Sequence, residues 1–112
     1  MTRKQQIARL EALASMIRDH DMARLQRAAA QRDSTQRRID QLPRGLTPCS
    51  DAALFRAAQS HLAWASEQRL HLNATLALET AQLIEQRQKT AKSHGRAEAL
   101  ARLRSRMAEK RR

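Results

Sequence analysis

Both prolines of this 112-residue chain, one of its two glycines and its only cysteine lie within the segment QLPRGLTPCSD, residues 41–51. Proline cannot continue a helix and biases the residue before it away from helical geometry. On either side of this segment the sequence reads as helix with little interruption. We therefore predict two helices joined by one short connector, and such a connector favours an antiparallel hairpin.

Composition supports an all-α fold and excludes a β-rich one. The chain contains 21 Ala, 18 Arg, 14 Leu and 11 Gln, but one Phe, one Trp, no Tyr and no Val. The frequent residues favour helices, whereas the aromatic and β-branched residues that favour sheets are scarce. With two aromatic rings the chain cannot build a large core, so we predict a single domain whose apolar seam is narrow.

The first helix is predicted over about residues 3–42. Its apolar positions are Ile7, Leu10, Ala14, Ile17, Leu25, Ala28, Ile39 and Leu42. The first four follow the 3, 4, 3 spacing of a coiled-coil seam. Asp21 occupies the next seam position before Leu25, which predicts a local eleven-residue repeat and a relaxed supercoil.

The connector is predicted over residues 43–50 and the second helix over about 51–110. Thr47 before Pro48 resembles a helix N-cap followed by a first-turn proline, with Ser50 as the rival cap. Asp51 would place negative charge near the positive end of the new helix dipole. Gly45 can adopt a left-handed conformation at little cost.

The second helix carries two apolar stripes. Phe55, Ala58, Leu62, Ala65, Leu72, Leu76 and Leu83 fit one heptad register, which Arg69 and Glu79 interrupt. A second stripe comprises Leu54, Trp64, Leu70, Leu78 and Ile84. These residues either flank the seam and are partly covered, or form a second face that docks a partner.

Positive charge is concentrated at the C-terminal end. Residues 87–112 contain ten Arg or Lys against Glu98 and Glu109, which is +8 of the total +11. Such a chain should attract an acidic partner. If the two helices pair from the turn, the first ends near residues 88–90 of the second. Residues 90–112 are then expected to project as a basic overhang prone to fraying, with Leu100, Leu103 and Met107 facing no helix of the same chain.

The sequence offers no constellation for catalysis, and we expect a protein that is not an enzyme and has no metal or cofactor. His20, His61, His71 and His94 lack metal-ligand spacing and are expected on helix surfaces. Cys49 has no general base indicated by the sequence and is expected to be an incidental thiol. Because neither a membrane-spanning run nor a signal peptide is recognisable, a cytoplasmic location is expected.

The layout resembles the FliJ family of the flagellum and its relatives in virulence-type type III secretion. The resemblance covers almost the whole chain, from RKQQIARLEALASMIRD through FRAAQSHLAWASEQRLHL to RAEALARLRSRMAEKRR. It implies a coiled-coil stalk that engages a hexameric export ATPase ring, links it to the membrane export gate and escorts export chaperones. It also implies a cytoplasmic protein that reaches the membrane periphery through the export apparatus.

Two sets of residues are the candidate contacts with such partners. At the basic terminal end they are Arg96, Leu100, Arg102, Leu103, Arg106 and Met107. Near the turn they are Leu54, Phe55, Leu62 and Trp64, for which packing within the hairpin is the alternative.

Two other functions are compatible with the sequence. Ten cations in 26 residues would give salt-sensitive, non-specific affinity for nucleic acid, although that segment has no aromatic residue for base stacking. Because a two-helix hairpin buries little surface, the chain could also be a self-associating helical scaffold, a homo-oligomer that completes its core with a second copy.

Overall fold

The computed structural model describes residues 2–46 and 50–110, which form two helices. Helix α1 spans Arg3–Asp40 and helix α2 spans Ala52–Glu109. No strand occurs in these described ranges, so the all-α prediction, with a longer second helix, is confirmed. Across the same ranges, neither helix combines the length and apolarity that crossing a membrane requires.

The chain divides into two compact units, and each contains a segment of both helices. The terminal unit comprises residues 1–29 and 82–112, and the turn unit comprises residues 30–81. Within each unit the two helix segments run antiparallel, as their contacts below establish.

Local side-chain hydrogen bonds define where the helices begin. At α1, Thr2 and Gln5 form a reciprocal pair in which each side-chain oxygen accepts from the other's backbone N–H, at 3.3 and 3.1 Å. This capping box satisfies two N–H groups that have no partner inside the helix. At α2, the Asp51 carboxylate accepts from the Ala53 N–H at 2.8 Å, so Asp51 is the N-cap.

This cap corrects the prediction for the connector. The predicted cap Thr47, with Pro48, lies outside the described residues, as does Cys49, whereas Ser50 precedes the residue that caps the helix. Gly45 does not have a positive φ, so the left-handed conformation expected there is not adopted.

The seam of α1 differs from the predicted one. Buried or half-buried positions advance by 4 and 3 residues without a break: Ile7, Glu11, Ala14, Arg18, Asp21, Leu25, Ala28, Arg32, Thr35 and Ile39, followed by Leu42 just after the helix. Outside this series, Ser15, Ala29 and Gln36 of α1 are also half-buried. Leu10 and Ile17, assigned to the seam by their apolar character, are exposed, and Glu11 and Arg18 take the less exposed positions. The predicted eleven-residue repeat is therefore wrong, and the heptad is continuous.

The seam of α2 is also continuous, and it extends well beyond Leu83. Its buried or half-buried positions advance by 4 and 3 residues: Ala58, Leu62, Ala65, Arg69, Leu72, Leu76, Glu79, Leu83, Gln86, Thr90, Ser93, Ala97 and Leu100. Outside this series, Gln68, Thr80, Ala101 and Met107 are also half-buried. Apolar periodicity did not predict this continuation, because the seam positions from Gln86 to Ser93 are polar. The described core is correspondingly small: Ile7, Ile39, Ala65, Leu83 and Ala97 are its buried hydrophobic residues.

In the terminal unit the basic end of α2 packs against the first half of α1. The Ser93 hydroxyl donates to the Asp21 carboxylate, and the Gln86 amide donates to the Asp21 carbonyl at 3.2 Å. Closer to the chain ends, the Arg104 guanidinium lies 3.1 Å from the Glu11 carboxylate. The expectation that residues beyond about 90 have no helix opposite them is therefore corrected for residues 90–107.

Contacts in the turn unit show which part of α2 lies beside the end of α1. The Thr35 hydroxyl donates to the Glu79 carboxylate, and the Arg69 guanidinium donates to the Pro43 carbonyl at 2.9 Å. Arg69 lies 17 residues after Ala52, which is about 26 Å along the helix. Because α1 ends beside the fifth turn of α2 rather than beside its first, the extra length of α2 lies at its start.

Candidate partner-binding surfaces

The six candidates at the basic end lie on two different sides of α2. Arg96 and Leu100 line a cleft of about 420 Å³ that they share with Leu10, Leu13 and Ile17 of α1. Leu103 and Met107 line the next depression, together with Arg3, Ile7 and Lys110. These four candidates therefore face the side of the helix pair where α1 also contributes apolar side chains.

Arg102 and Arg106 lie on the outer side of α2. They border a shallow depression with Ala101, Arg104 and Ser105, all of which belong to α2. Both arginines are exposed, and Arg102 makes a 3.9 Å ion pair with Glu98 one turn earlier. Such a pair between exposed side chains is weak, so these guanidinium groups remain available to an acidic surface.

The candidates near the turn do not form one surface. Leu62 is half-buried in the seam, whereas Leu54, Phe55 and Trp64 are exposed. The Trp64 ring stacks on His61 with centroids 5.5 Å apart and planes inclined by 16°. This contact shields part of one face of the indole.

Four residues of the second apolar stripe of α2 flank the seam on its two sides. Trp64 and Leu78 each come directly before a seam residue and are 14 residues, or two heptads, apart. Leu70 and Ile84 each come directly after a seam residue and are also 14 residues apart. All five side chains, including that of Leu54, are exposed. The stripe therefore flanks the seam, and exposed apolar residues of this kind are common on protein surfaces.

Three apolar residues of the terminal unit were not among the candidates, because Leu10 and Ile17 had been assigned to the seam and Leu13 to no surface. Leu10, Leu13 and Ile17 are 52%, 53% and 46% exposed and follow the i, i+3, i+7 spacing of one helix face. The seam passes beside them through Glu11, Ala14 and Arg18. The sequence does indicate this for Leu13. Ile7 and Ala14 are seven residues apart and share a heptad position on the seam, whereas Leu13 does not occupy that position.

The four histidines lie on helix surfaces. His20, His61, His71 and His94 are all exposed, as their sequence context predicts. Within residues 2–46 and 50–110, no group of three or more His, Cys, Asp or Glu side chains could hold a metal ion. Every buried side-chain nitrogen or oxygen in the same ranges has a hydrogen-bond partner.

Charge is distributed unequally between the units. The terminal unit contains 16 of the 22 Lys and Arg residues but six of the 11 Asp and Glu residues, so its net charge is +10. The turn unit is nearly neutral, at +1. A negatively charged partner would therefore be steered to the terminal unit.

No protein-family model, curated protein or solved structure matches this chain.

Proposed function

We propose that this protein is a non-enzymatic component of a flagellar or virulence-type type III export apparatus. In this role it is a coiled-coil stalk that engages a hexameric export ATPase and links it to the export gate or to export chaperones. The observation that carries the proposal is the terminal unit, in which the first part of α1 pairs with the last part of α2 and the net charge is +10. Such an element suits an acidic protein surface.

Arg102 and Arg106 are the contacts best placed for the ATPase. They lie on the outer side of α2 and are exposed, and the seam does not depend on them. Leu103 and Met107, the apolar candidates at the same end of α2, lie on its other side and line a depression with α1. The proposed ATPase interface therefore relies on exposed cations on the outer side of α2, which suit the polar rim of a protein interface.

The direct test uses charge reversal rather than truncation. A chain shortened at Thr90 would lose Ser93 and Arg104, which contact Asp21 and Glu11, and the terminal unit would be disturbed. The double variant Arg102→Glu with Arg106→Glu reverses two charges on the outer side of α2, which lowers the net charge by four, and leaves these contacts in place.

The matched control is Arg38→Glu with Arg56→Glu, which changes the same charge on exposed residues of the turn unit. Each chain is mixed with the purified export ATPase of the source organism, and binding and ATP hydrolysis are measured. We expect the wild type and the control to bind the ATPase and the Arg102/Arg106 variant to bind at least about tenfold more weakly. If the wild-type chain does not bind the ATPase, the export proposal fails.

Nucleic-acid binding is the second candidate function, and the concentration of exposed cations on the terminal unit favours it. Sequence-independent phosphate contacts would give a dissociation constant that rises steeply with salt concentration. Fluorescence anisotropy with a labelled DNA duplex and a labelled RNA strand measures this dependence. Tight binding that persists at about 0.15 M salt, together with no ATPase binding, would favour this second function.

A further inference from the structure

The strongest remaining feature is the apolar face formed by Leu10, Leu13 and Ile17, which neither folding nor the proposed ATPase contact explains. These side chains lie beside the seam on α1, and Leu100 lines the same cleft from α2. About half of each α1 side chain is exposed. Aligned apolar residues that the fold leaves uncovered are typical of binding surfaces.

Toward the chain ends a second depression lies between the two helices, and the two depressions together are called the groove. Beyond Leu10 and Leu100 come Ile7, Leu103 and Met107, which line the adjoining depression. From Arg3 to Ile17 the groove follows 14 residues of α1, or about 21 Å. This length accommodates about four turns of a further helix, lying between α1 and α2 as the third member of a bundle.

The charge around the groove indicates the chemistry of that helix. Arg96 borders one end, and Arg3 and Lys110 border the other. Among the described residues that line either depression, none is acidic. The carboxylates nearest in sequence to the lining residues are those of Glu11, Asp19, Glu98 and Glu109. Three of them are paired with arginines: Glu11 with Arg104 across the seam, Asp19 with Arg18 and Glu98 with Arg102.

Charge also argues against a second copy of this chain as the occupant. Two terminal units would bring net charges of +10 together, and their mutual repulsion opposes close contact. An amphipathic helix with acidic residues beside its apolar stripe would instead complement both the groove and its borders.

We infer that this groove binds an acidic amphipathic helix of a partner protein. Its apolar stripe packs between Leu10, Leu13 and Ile17 on α1 and Leu100 and Leu103 on α2, and its flanking carboxylates face the bordering cations. The inference goes beyond the proposed function and does not depend on it, because the ATPase contact is assigned to Arg102 and Arg106 on the outer side of α2.

The probe is a fluorescein-labelled synthetic helix of about four turns with Leu at the a and d positions and Glu at the flanking positions. A second peptide carries Lys in place of each Glu. Fluorescence anisotropy measures the affinity of both for the full-length chain. We expect the acidic peptide to bind at least about tenfold more tightly than the basic one.

Two variants locate the binding site without changing charge. Leu13→Ser removes the centre of the apolar face, and Leu78→Ser is the matched control, because Leu78 is comparably exposed in the turn unit. We expect Leu13→Ser to weaken binding of the acidic peptide about tenfold and Leu78→Ser to change it less than twofold. Equal affinity for wild type and Leu13→Ser would overturn the inference, since attraction between charges alone would then explain binding.

Two further measurements test other occupants of the groove, and a positive result in either would overturn the inference. Self-association of the wild type that Leu13→Ser abolishes, measured by sedimentation equilibrium, would assign the face to a second copy. Flotation with vesicles containing anionic phospholipid, lost in Leu13→Ser but kept in Leu78→Ser, would assign it to a membrane surface. Neither result bears on Arg102 and Arg106, so the two proposals can fail separately.

Discussion

Replacing Leu83 by Ala should destabilise the protein far more than replacing Leu13 by Ala. Leu83 is 6% exposed in the seam, whereas Leu13 is 53% exposed on the groove. Both leucines belong to the terminal unit and lie inside long helices, so the two substitutions change helix propensity equally.

The magnitudes follow from the exposed fractions. Truncating a nearly buried leucine to alanine removes most of its transfer free energy and leaves a cavity, at a cost of about 3 kcal/mol. At Leu13 about half of the transfer term is present and no cavity is enclosed, so the cost is about 1 kcal/mol or less. For a domain of this size, with a urea m-value of about 1.5 kcal/mol per M, the midpoint should fall by about 2 M for Leu83→Ala. For Leu13→Ala the fall should be about 0.7 M or less.

Urea unfolding followed by circular dichroism at the helix band measures both midpoints, and unchanged m-values would show that neither variant alters the unfolded state. Peptide binding supplies an independent readout: Leu13→Ala should weaken binding of the acidic peptide although the chain remains folded. Equal midpoint shifts for the two variants, or a larger shift for Leu13→Ala, would refute the seam described here. Leu13 would then belong to the core and the groove would not be a free surface.

Three further experiments test the local structure. Gly95→Ala should raise the free energy of unfolding by about 0.5–1 kcal/mol, because a Cβ there contacts nothing within 4 Å and glycine is unfavourable inside a helix; a lower thermal midpoint would contradict this. Asp51→Ala should lower the free energy of unfolding by about 1 kcal/mol through loss of the cap on the Ala53 N–H, and Asp51→Asn should retain most of it. A double-mutant cycle on Glu11 and Arg104 should give a coupling of about 0.5 kcal/mol that decreases in 1 M NaCl, since one partner is largely exposed; a coupling insensitive to salt would require another explanation.

Much of the fold follows from the sequence because helix propensity and chain-breaking residues act locally. The bounds of both helices were predicted to within two residues, since Pro43 and the residues after it restrict where a helix can continue. The cap was less predictable: Thr47, Ser50 and Asp51 all carry suitable oxygens, and the choice depends on where the helix begins.

The register was harder to predict because it depends on a contact made after α1 ends. A tight turn would pair the helices from their adjoining ends, but the Arg69 guanidinium bonded to the Pro43 carbonyl places the end of α1 beside the fifth turn of α2. Nothing in the local pattern specifies this distance.

The groove was not predicted, because the seam residues were not predicted correctly. Polarity was a poor guide to the seam, because Gln86, Thr90 and Ser93 are buried with hydrogen bonds while Leu10 and Ile17 are exposed. Because Leu10 and Ile17 were assigned to the seam, the exposed face on α1 that is proposed to bind a partner was not predicted.

The measurement that tests the register most directly is chemical cross-linking within the chain. With Cys49 replaced by Ser, cysteines are introduced either at positions 4 and 108 or at positions 4 and 89, and a short bis-maleimide is added to dilute protein. Lys4 and Ala108 line the same depression in the terminal unit, whereas Lys89 lies 19 residues, or about 28 Å, back along α2. The register described here predicts an efficient intramolecular link for 4 with 108 and none for 4 with 89. An efficient link for 4 with 89 and none for 4 with 108 would contradict this register. The end of α2 would then be an unpaired overhang, and there would be no groove between the helices.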